Sequence, residues 1–314
     1  MSNDELKDIQ VTCFRPDLVS DRDRLKSSGN YLAYYTSADV AQKVILHKEL
    51  WLRSVNLMND YSEVTYGTNL LVAAYKDEEI YRLTNDILSA FGNDTIGVFE
   101  EAFNNLTLNL RYNTYAICFS EMRAVASRVG QLSMWRGYGG SNGVALLFDP
   151  KHLKDDDTSL SAVLLRMLYL DEAGFTEKLR EMIRSAYLNK HKLLSLQREQ
   201  VLHFFLLNFA LLVLQVKHPA FSEENEWRLL VNTELFGDKN LLREVACIAG
   251  APQKIFKVPM TTEETQLQQL LHSVLVGPSP VAPSISEALG LLLADEEMEG
   301  VEIIPTLISY RDRM

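Results

Sequence analysis

The strongest constraint on the fold lies where the most apolar run of the chain gives way to a short polar strand. Residues 201–216 are broken only by His203, Asn208 and Gln215. The run is shorter than the roughly 20 residues a bilayer-spanning helix needs, so it reads as a buried core helix. His218-Pro219 ends it, since proline disfavours helix at its own position and at the one before. Then comes Glu224-Asn225-Glu226-Trp227-Arg228-Leu229-Leu230, which opens as a strand. Alternation puts Glu224, Glu226 and Arg228 on one face and Trp227 and Leu229 on the other. A polar trio on one strand face needs either solvent or a pocket to receive it. As an exposed edge-strand face it would hold an ion pair worth at most about 1 kcal/mol. As the floor of a pocket it would be a site, and residue chemistry alone leaves both open.

The 314 residues suffice for one large domain or two ordinary ones. Hydrophobic residues make up 47% and charged residues 23%, a globular balance that excludes disorder of the whole chain. A net charge of -11 argues against broad binding to nucleic acid or to an anionic membrane. Cys13, Cys118 and Cys247 are far apart and form no CxxC pair, which fits a reducing compartment. The start of the chain is acidic and has no apolar stretch of the secretory kind, so the expected location is the cytoplasm.

Along the chain, residues 1–29 are mixed and charged and read as an N-terminal arm. A single α+β domain is expected over 30–314. Residues 31–36 form an aromatic first strand, with a helix from Ser37 to about residue 48 and a second strand at 50–54. A helical insertion is expected over about 61–111, running to Phe91 and resuming near Val98. Strands follow at 115–120, 143–150 and 163–170. A second helical insertion covers about 172–218, as helices near 174–194 and 197–216. Strands are then expected at 245–248, 254–259 and 273–278, helices at 261–271 and 286–294, and closing strands at 301–305 and 307–310. Single short strands with irregular helical insertions predict an α+β fold around a mixed, mostly antiparallel sheet.

Candidate chemistry is sparse outside the polar trio. The six histidines show no HExxH or HxxxH spacing, so no metal site is expected. No GxSxG elbow is present, and Cys118 sits inside an apolar strand as a small hydrophobe. Gly137-Tyr138-Gly139-Gly140 is not a dinucleotide fingerprint, because it does not link a strand to a helix. Tyr34 and Tyr35 could stack on a flat ring, or could divide between core and surface. Asn59-Asp60 reads as a turn. Trp135-Arg136-Gly137-Tyr138 fits either a ligand lip or a helix end that packs its tryptophan.

The ordered motifs YYTS, LWLRS, MND, CFSE, SMWRGYGG, GVALLFD, ENEWRLL, VLVGP and ISYR together resemble a bacterial family, the domain of unknown function 2971. A more distant resemblance is to the ADP-ribosyltransferase fold. That fold has a first strand ending in an aromatic or histidine before Thr, a short helix, a second strand ending in Ser, and a late strand carrying Glu. The resemblance implies an NAD-consuming ADP-ribosyltransferase or NAD glycohydrolase, of the kind found among bacterial toxins and defence effectors. NAD would be the substrate, a small-molecule nucleotide, with the acceptor unspecified. Tyr34 and Ser54 would then hold NAD and Glu226 would be the catalytic carboxylate, with Glu224 completing a Glu-x-Glu pair. Tyr35, Thr36, Trp135 and Tyr138 would line the nicotinamide pocket, and Arg53 or Arg228 would meet the pyrophosphate. The alternative is a non-catalytic module that binds a nucleotide or a protein.

Overall fold

The computed structural model describes residues 2–57, 63–153, 162–235, 241–248, 250–260 and 267–306. The turn expected at Asn59-Asp60, the first residues of the helix expected from 261 and the strand expected at 307–310 lie outside them.

In chain order, α1 (Asn3–Phe14) and α2 (Asp17–Ser27) precede β1 (Tyr31–Ser37), α3 (Ala38–His47) and β2 (Glu49–Ser54). The first helical insertion is α4 (Glu63–Ala74), α5 (Glu78–Leu88) and α6 (Thr95–Asn113), before β3 (Thr114–Met122). A single short turn, α7 (Leu132–Met134), runs into a π-helical turn (Trp135–Gly139) and then β4 (Gly143–Phe148). Next come β5 (Ala162–Arg166), β6 (Leu168–Tyr169), α8 (Glu172–Leu188), α9 (Lys190–Leu193) and α10 (Arg198–Gln215). The chain continues through β7 (Val216–Lys217), β8 (Glu226–Asn232), β9 (Leu242–Ile248), β10 (Ala251–Pro259), α11 (Leu267–Leu270), β11 (Leu271–Val276), α12 (Ala282–Asp295) and β12 (Glu302–Pro305). The fold is α+β with a mixed, mostly antiparallel sheet, as the patterning predicts. Among the described residues, only β11–β12 and the small β6–β7 pair are parallel.

The sheet is organised on β3. One edge of β3 pairs with β8 along its length, from Thr114↔Asn232 to Ser120↔Glu226. The other edge is shared. β1 pairs with its C-terminal end (Ala33↔Ser120, Tyr31↔Met122), and β2 with its N-terminal end (Arg53↔Ala116, Ser54↔Tyr115). Between Ala116 and Ser120 no register pair joins β3 to either strand, so the sheet divides there. β4, β11 and β12 extend one branch, and β10 and β9 the other.

The two faces are distinct. Leu32, Leu52, Tyr115, Phe119, Trp227 and Phe256 pack on the face covered by α3 and α12. Ala33, Tyr35, Met122, Trp135, Ala145 and Leu147 pack on the other. A third core lies among the helices, with α10 at its centre. That helix is apolar all round because it is surrounded. Its polar residues are satisfied by α1 and its flank. Gln10 Nε2 donates to Asn208 Oδ1 at 2.9 Å, and the Arg15 guanidinium donates to Gln215 Oε1 at 2.7 Å. The N-terminal arm is docked on this core at the end of α1, where Cys13, Phe14 and Arg15 are buried. Among the described residues, no helix is long and apolar enough to cross a membrane.

The helix expected to run unbroken to Phe91 is two helices. Asp77 Oδ1 accepts from the backbone N–H groups of Glu79 and Ile80, both at 3.1 Å, and restarts the chain as α5.

A buried carboxylate cluster as the candidate functional site

The polar trio is neither an open edge face nor an empty pocket. It is part of a closed ionic ring. Arg228 Nε meets Glu226 Oε1 at 2.5 Å, and its terminal nitrogen meets Glu63 Oε2 at 2.6 Å. Lys217 Nζ contacts Glu226 Oε2 at 3.1 Å, Glu63 Oε1 at 3.0 Å and Glu224 Oε2 at 2.5 Å. Three carboxylates thus face two cations, leaving one formal negative charge.

Local backbone explains the assembly. Pro219 stops any helical continuation, and β7 ends at Lys217, whose Nζ reaches Glu226, the first residue of β8. The intervening 3-10 turn is Pro219–Glu224. Asn225 then takes the left-handed conformation at φ 43°, turning the chain into β8. Its amide donates to Glu121 O at 3.0 Å. Ser120 Oγ fixes the same bend by donating to Glu224 O at 2.7 Å. Tyr169 Oη accepts from the Glu226 N–H at 2.8 Å.

The two carboxyls of the Glu-x-Glu pair have opposite protonation behaviour. Burial pushes the Glu226 carboxyl up, but Arg228 and then Lys217 outweigh it and hold its pKa at about 2. Burial raises the Glu224 carboxyl, and the hydrogen bond from Lys217 reverses this only in part. Glu226 adds to the rise by like-charge repulsion. Glu224 is also the outer group, with a side chain 14% exposed against 5% for Glu226. Tyr138 O–H donates to Glu224 Oε1 at 3.2 Å. Burial, followed by the Glu224 charge, raises the Tyr138 phenol. The Cys118 thiol is raised well above its ordinary range by burial and by Glu226, so it is a neutral neighbour and not a nucleophile.

The other residues singled out from sequence divide between the two faces. Ala33, Ser120 and Glu226 are in register, which puts Tyr35 on the Glu226 face. Tyr35 Oη accepts from the Gln131 N–H at 2.8 Å, and burial lifts its pKa to about 12. Trp135 is on this face too but is buried, meeting Tyr35 edge-on at 4.8 Å. Its ring rests on Gly277, where a Cβ would come within 2.8 Å of it. Trp135 is therefore packing, the helix-end alternative, and Tyr138 is the ring that reaches the carboxylates.

Tyr34, Thr36 and Ser54 lie on the opposite face. Tyr34 packs near Phe119, with ring centroids 6.1 Å apart. Ser54 is opposite Tyr115, in the core of that same face. Arg53 is on the Glu226 face but pairs with Ala116, four positions along β3 from Ser120, and donates to Gln253 Oε1 at 3.2 Å. The fold thus does not bring Tyr34, Ser54, Trp135 and Glu226 into one concavity. Strand alternation is the physical reason.

Sequence reasoning missed Glu63, Lys217, Ser120 and Tyr169. Lys217 carried a readable signal, since a single cation at the end of a buried apolar run demands a carboxylate partner. Glu63 carried none. Among the described residues, no group of three His, Cys, Asp or Glu side chains is placed to hold a metal ion.

Residues 134–229 match the sequence family described as "Protein of unknown function (DUF2971)". That span includes Trp135, Tyr138, Lys217 and the whole polar trio. No curated protein and no solved structure matches the chain.

Proposed function

We propose that the chain breaks the N-glycosidic bond of NAD, releasing nicotinamide and passing the ADP-ribosyl group to water or another acceptor. The observation that carries this reading is that Glu224 and Glu226, two carboxyls on one bend, are shifted in opposite directions, Glu224 up by burial and Glu226 down by Arg228 and Lys217. A pair pushed apart in this way divides into a fixed anion and a proton carrier. Glycosidic cleavage uses both, because positive charge builds on the ribose and a nucleophile must then lose a proton. In the proposed step the bond from ribose C1′ to the nicotinamide nitrogen breaks, and its electron pair neutralises the pyridinium. Water or an acceptor hydroxyl adds to C1′ and gives its proton to Glu224. Glu226 remains ionised and supports the developing charge. The surplus negative charge of the ring suits a substrate whose leaving group is cationic. Tyr138, beside Glu224, supplies an aromatic wall. The reading follows the resemblance to ADP-ribosyltransferases in the order of sequence motifs, while the roles carried over to Tyr34 and Ser54 have no place in it. Glu224 takes over the proton-handling role, because both oxygens of Glu226 are engaged by cations.

A second reading is a non-catalytic nucleotide- or protein-binding module. The burial of Glu226 between Arg228 and Lys217 favours it, since a closed ion ring also serves as a structural tie. Incubation of purified protein with NAD, with detection of free nicotinamide, separates the two. Turnover that is lost in Glu224→Gln supports the enzyme, and no turnover in the wild type supports the module.

A further inference from the structure

A second concavity lies apart from the carboxylate cluster. It opens between the first turn of α3, the loop at 139–142 and one side of α12, with a volume of about 600 Å³. That size falls in the range of small-molecule sites. Its two walls differ in chemistry. Ile285, Leu289 and Leu292 of α12 form an apolar wall. The opposite wall carries Asp39, Gln42, Ser141 and Asn142.

The polar wall faces solvent, with Gln42, Ser141 and Asn142 all exposed and open to a ligand's polar edge. The side chains of Gln42 and Ser141 have no hydrogen-bond partner among the described residues. Asn142 Oδ1 accepts from Ser279 Oγ at 3.1 Å, and its Nδ2 has no partner among them. The first turn of α3 carries its own anion, Asp39. Asp39 accepts from Ser37 Oγ at 2.5 Å. An anion such as phosphate would have to displace that carboxylate. Lys43, at 3.7 Å from Asp39, is the nearby cation and is paired with it. Gly140 adopts φ +57°, and a Cβ there would meet nothing within 4 Å, so the loop backbone borders open space.

These features select a ligand that is flat, apolar on its face, uncharged and rich in donors and acceptors at its edge. We propose that the cavity binds a purine nucleoside base-first, with an exocyclic amine donating to Asp39 and the ring lying against Leu289 and Leu292. Gln42, Ser141 and Asn142 serve the remaining ring edge and the ribose hydroxyls. The proposal stands apart from the glycosidic chemistry above, because adenosine has no nicotinamide to release.

The test is titration calorimetry of the full chain with adenosine, with purine riboside (which lacks the amine) and with inorganic phosphate. Saturable adenosine binding is expected, with purine riboside about tenfold or more weaker, the loss of one hydrogen bond to a charged acceptor. Ala288→Trp, at an exposed lining position, should abolish adenosine binding while leaving the melting temperature unchanged. Asp39→Ala, which removes the acceptor, should erase the preference for adenosine over purine riboside. Glu224→Gln should bind adenosine as the wild type does. Absence of saturable binding at millimolar adenosine would overturn the proposal. So would equal affinity in Ala288→Trp, or displacement of adenosine by phosphate.

Discussion

Arg228 and Glu226, two positions apart on one strand, form a 2.5 Å ion pair in which the side chains are 6% and 5% exposed. The pair is not free to loosen, because each partner is also held by a third group. Glu63 holds Arg228 and Lys217 holds Glu226. Removing one member leaves a buried charge without its partner, which costs far more than the net contribution of the pair. Glu226→Gln is therefore expected to lower unfolding stability by about 3–5 kcal/mol. Urea denaturation followed by tryptophan fluorescence measures this. A change within experimental error would mean that the ring is dispensable.

Glu121 is a second fixed anion, beneath the N-terminal helices. Both its oxygens accept from Arg24, at 2.9 and 2.8 Å. Trp227 Nε1 adds a bond at 2.9 Å and Asn30 Nδ2 one at 2.8 Å. Arg24 is 41% exposed, so solvent screening limits its own contribution to about 1 kcal/mol or less. Glu121→Ala is expected to cost more, about 2–4 kcal/mol, because it orphans the buried indole N–H. Comparing Arg24→Ala with Glu121→Ala by denaturation checks the ordering, and equal losses would refute it.

The same carboxylate sets an acid limit. Burial alone would raise Glu121, but the hydrogen bonds from Arg24, Trp227 and Asn30 bring it from the usual 4.5 down to about 2. A carboxyl held low contributes stability that is complete above its unfolded pKa and lost as pH falls toward its folded pKa. Stability is thus predicted to drop as pH falls from 4.5 to about 2. Glu226 titrates in the same window. Glu121→Gln, weaker at neutral pH, should show a shallower drop. Denaturation midpoints measured across this range would contradict the assignment if the two slopes matched.

Gly277 is the seat of the Trp135 ring. Adding one methyl there brings it within 2.8 Å of two ring carbons and within 2.9 Å of the backbone carbonyl of Gly143. The backbone contact cannot be relieved by a rotamer change. Gly277→Ala should cost about 1–3 kcal/mol, the usual range for overpacking. It should also shift the emission of the buried Trp135, and unchanged emission and stability would show that the seat is loose.

The sequence was most informative where periodicity reports burial. The apolar run before His218-Pro219 gave α10 almost to the residue, and the aromatic run at 31–36 gave β1. Alternation correctly put Glu226 and Arg228 on one face. It also contained the warning that Tyr34 and Tyr35 must point opposite ways, and a linear motif cannot say which of them faces a carboxylate about 190 residues downstream. That choice is made by the register Ala33↔Ser120↔Glu226. Glu63 was invisible for a related reason, since it reaches Lys217 and Arg228 only through packing of α4 on α10 and β7. Capping chemistry was legible but underused, for Asp77 before Glu78-Glu79 marks the start of α5. The charged start of the chain reads as an arm, and its composition alone does not show that Gln10 and Arg15 serve as partners for Asn208 and Gln215.

The central claim is that Glu224 carries a proton during cleavage of NAD, and one comparison tests it directly. Purified wild-type protein and Glu224→Gln are incubated with NAD, and free nicotinamide is quantified alongside the melting temperature of each. The account predicts nicotinamide release by the wild type and a loss of about a hundredfold or more in the variant, the range for removing a general acid–base group. The melting temperature of the variant should be equal or higher, since the carboxyl it removes is held above its ordinary pKa. Equal rates in the two proteins, or no nicotinamide from a folded wild type, would contradict it.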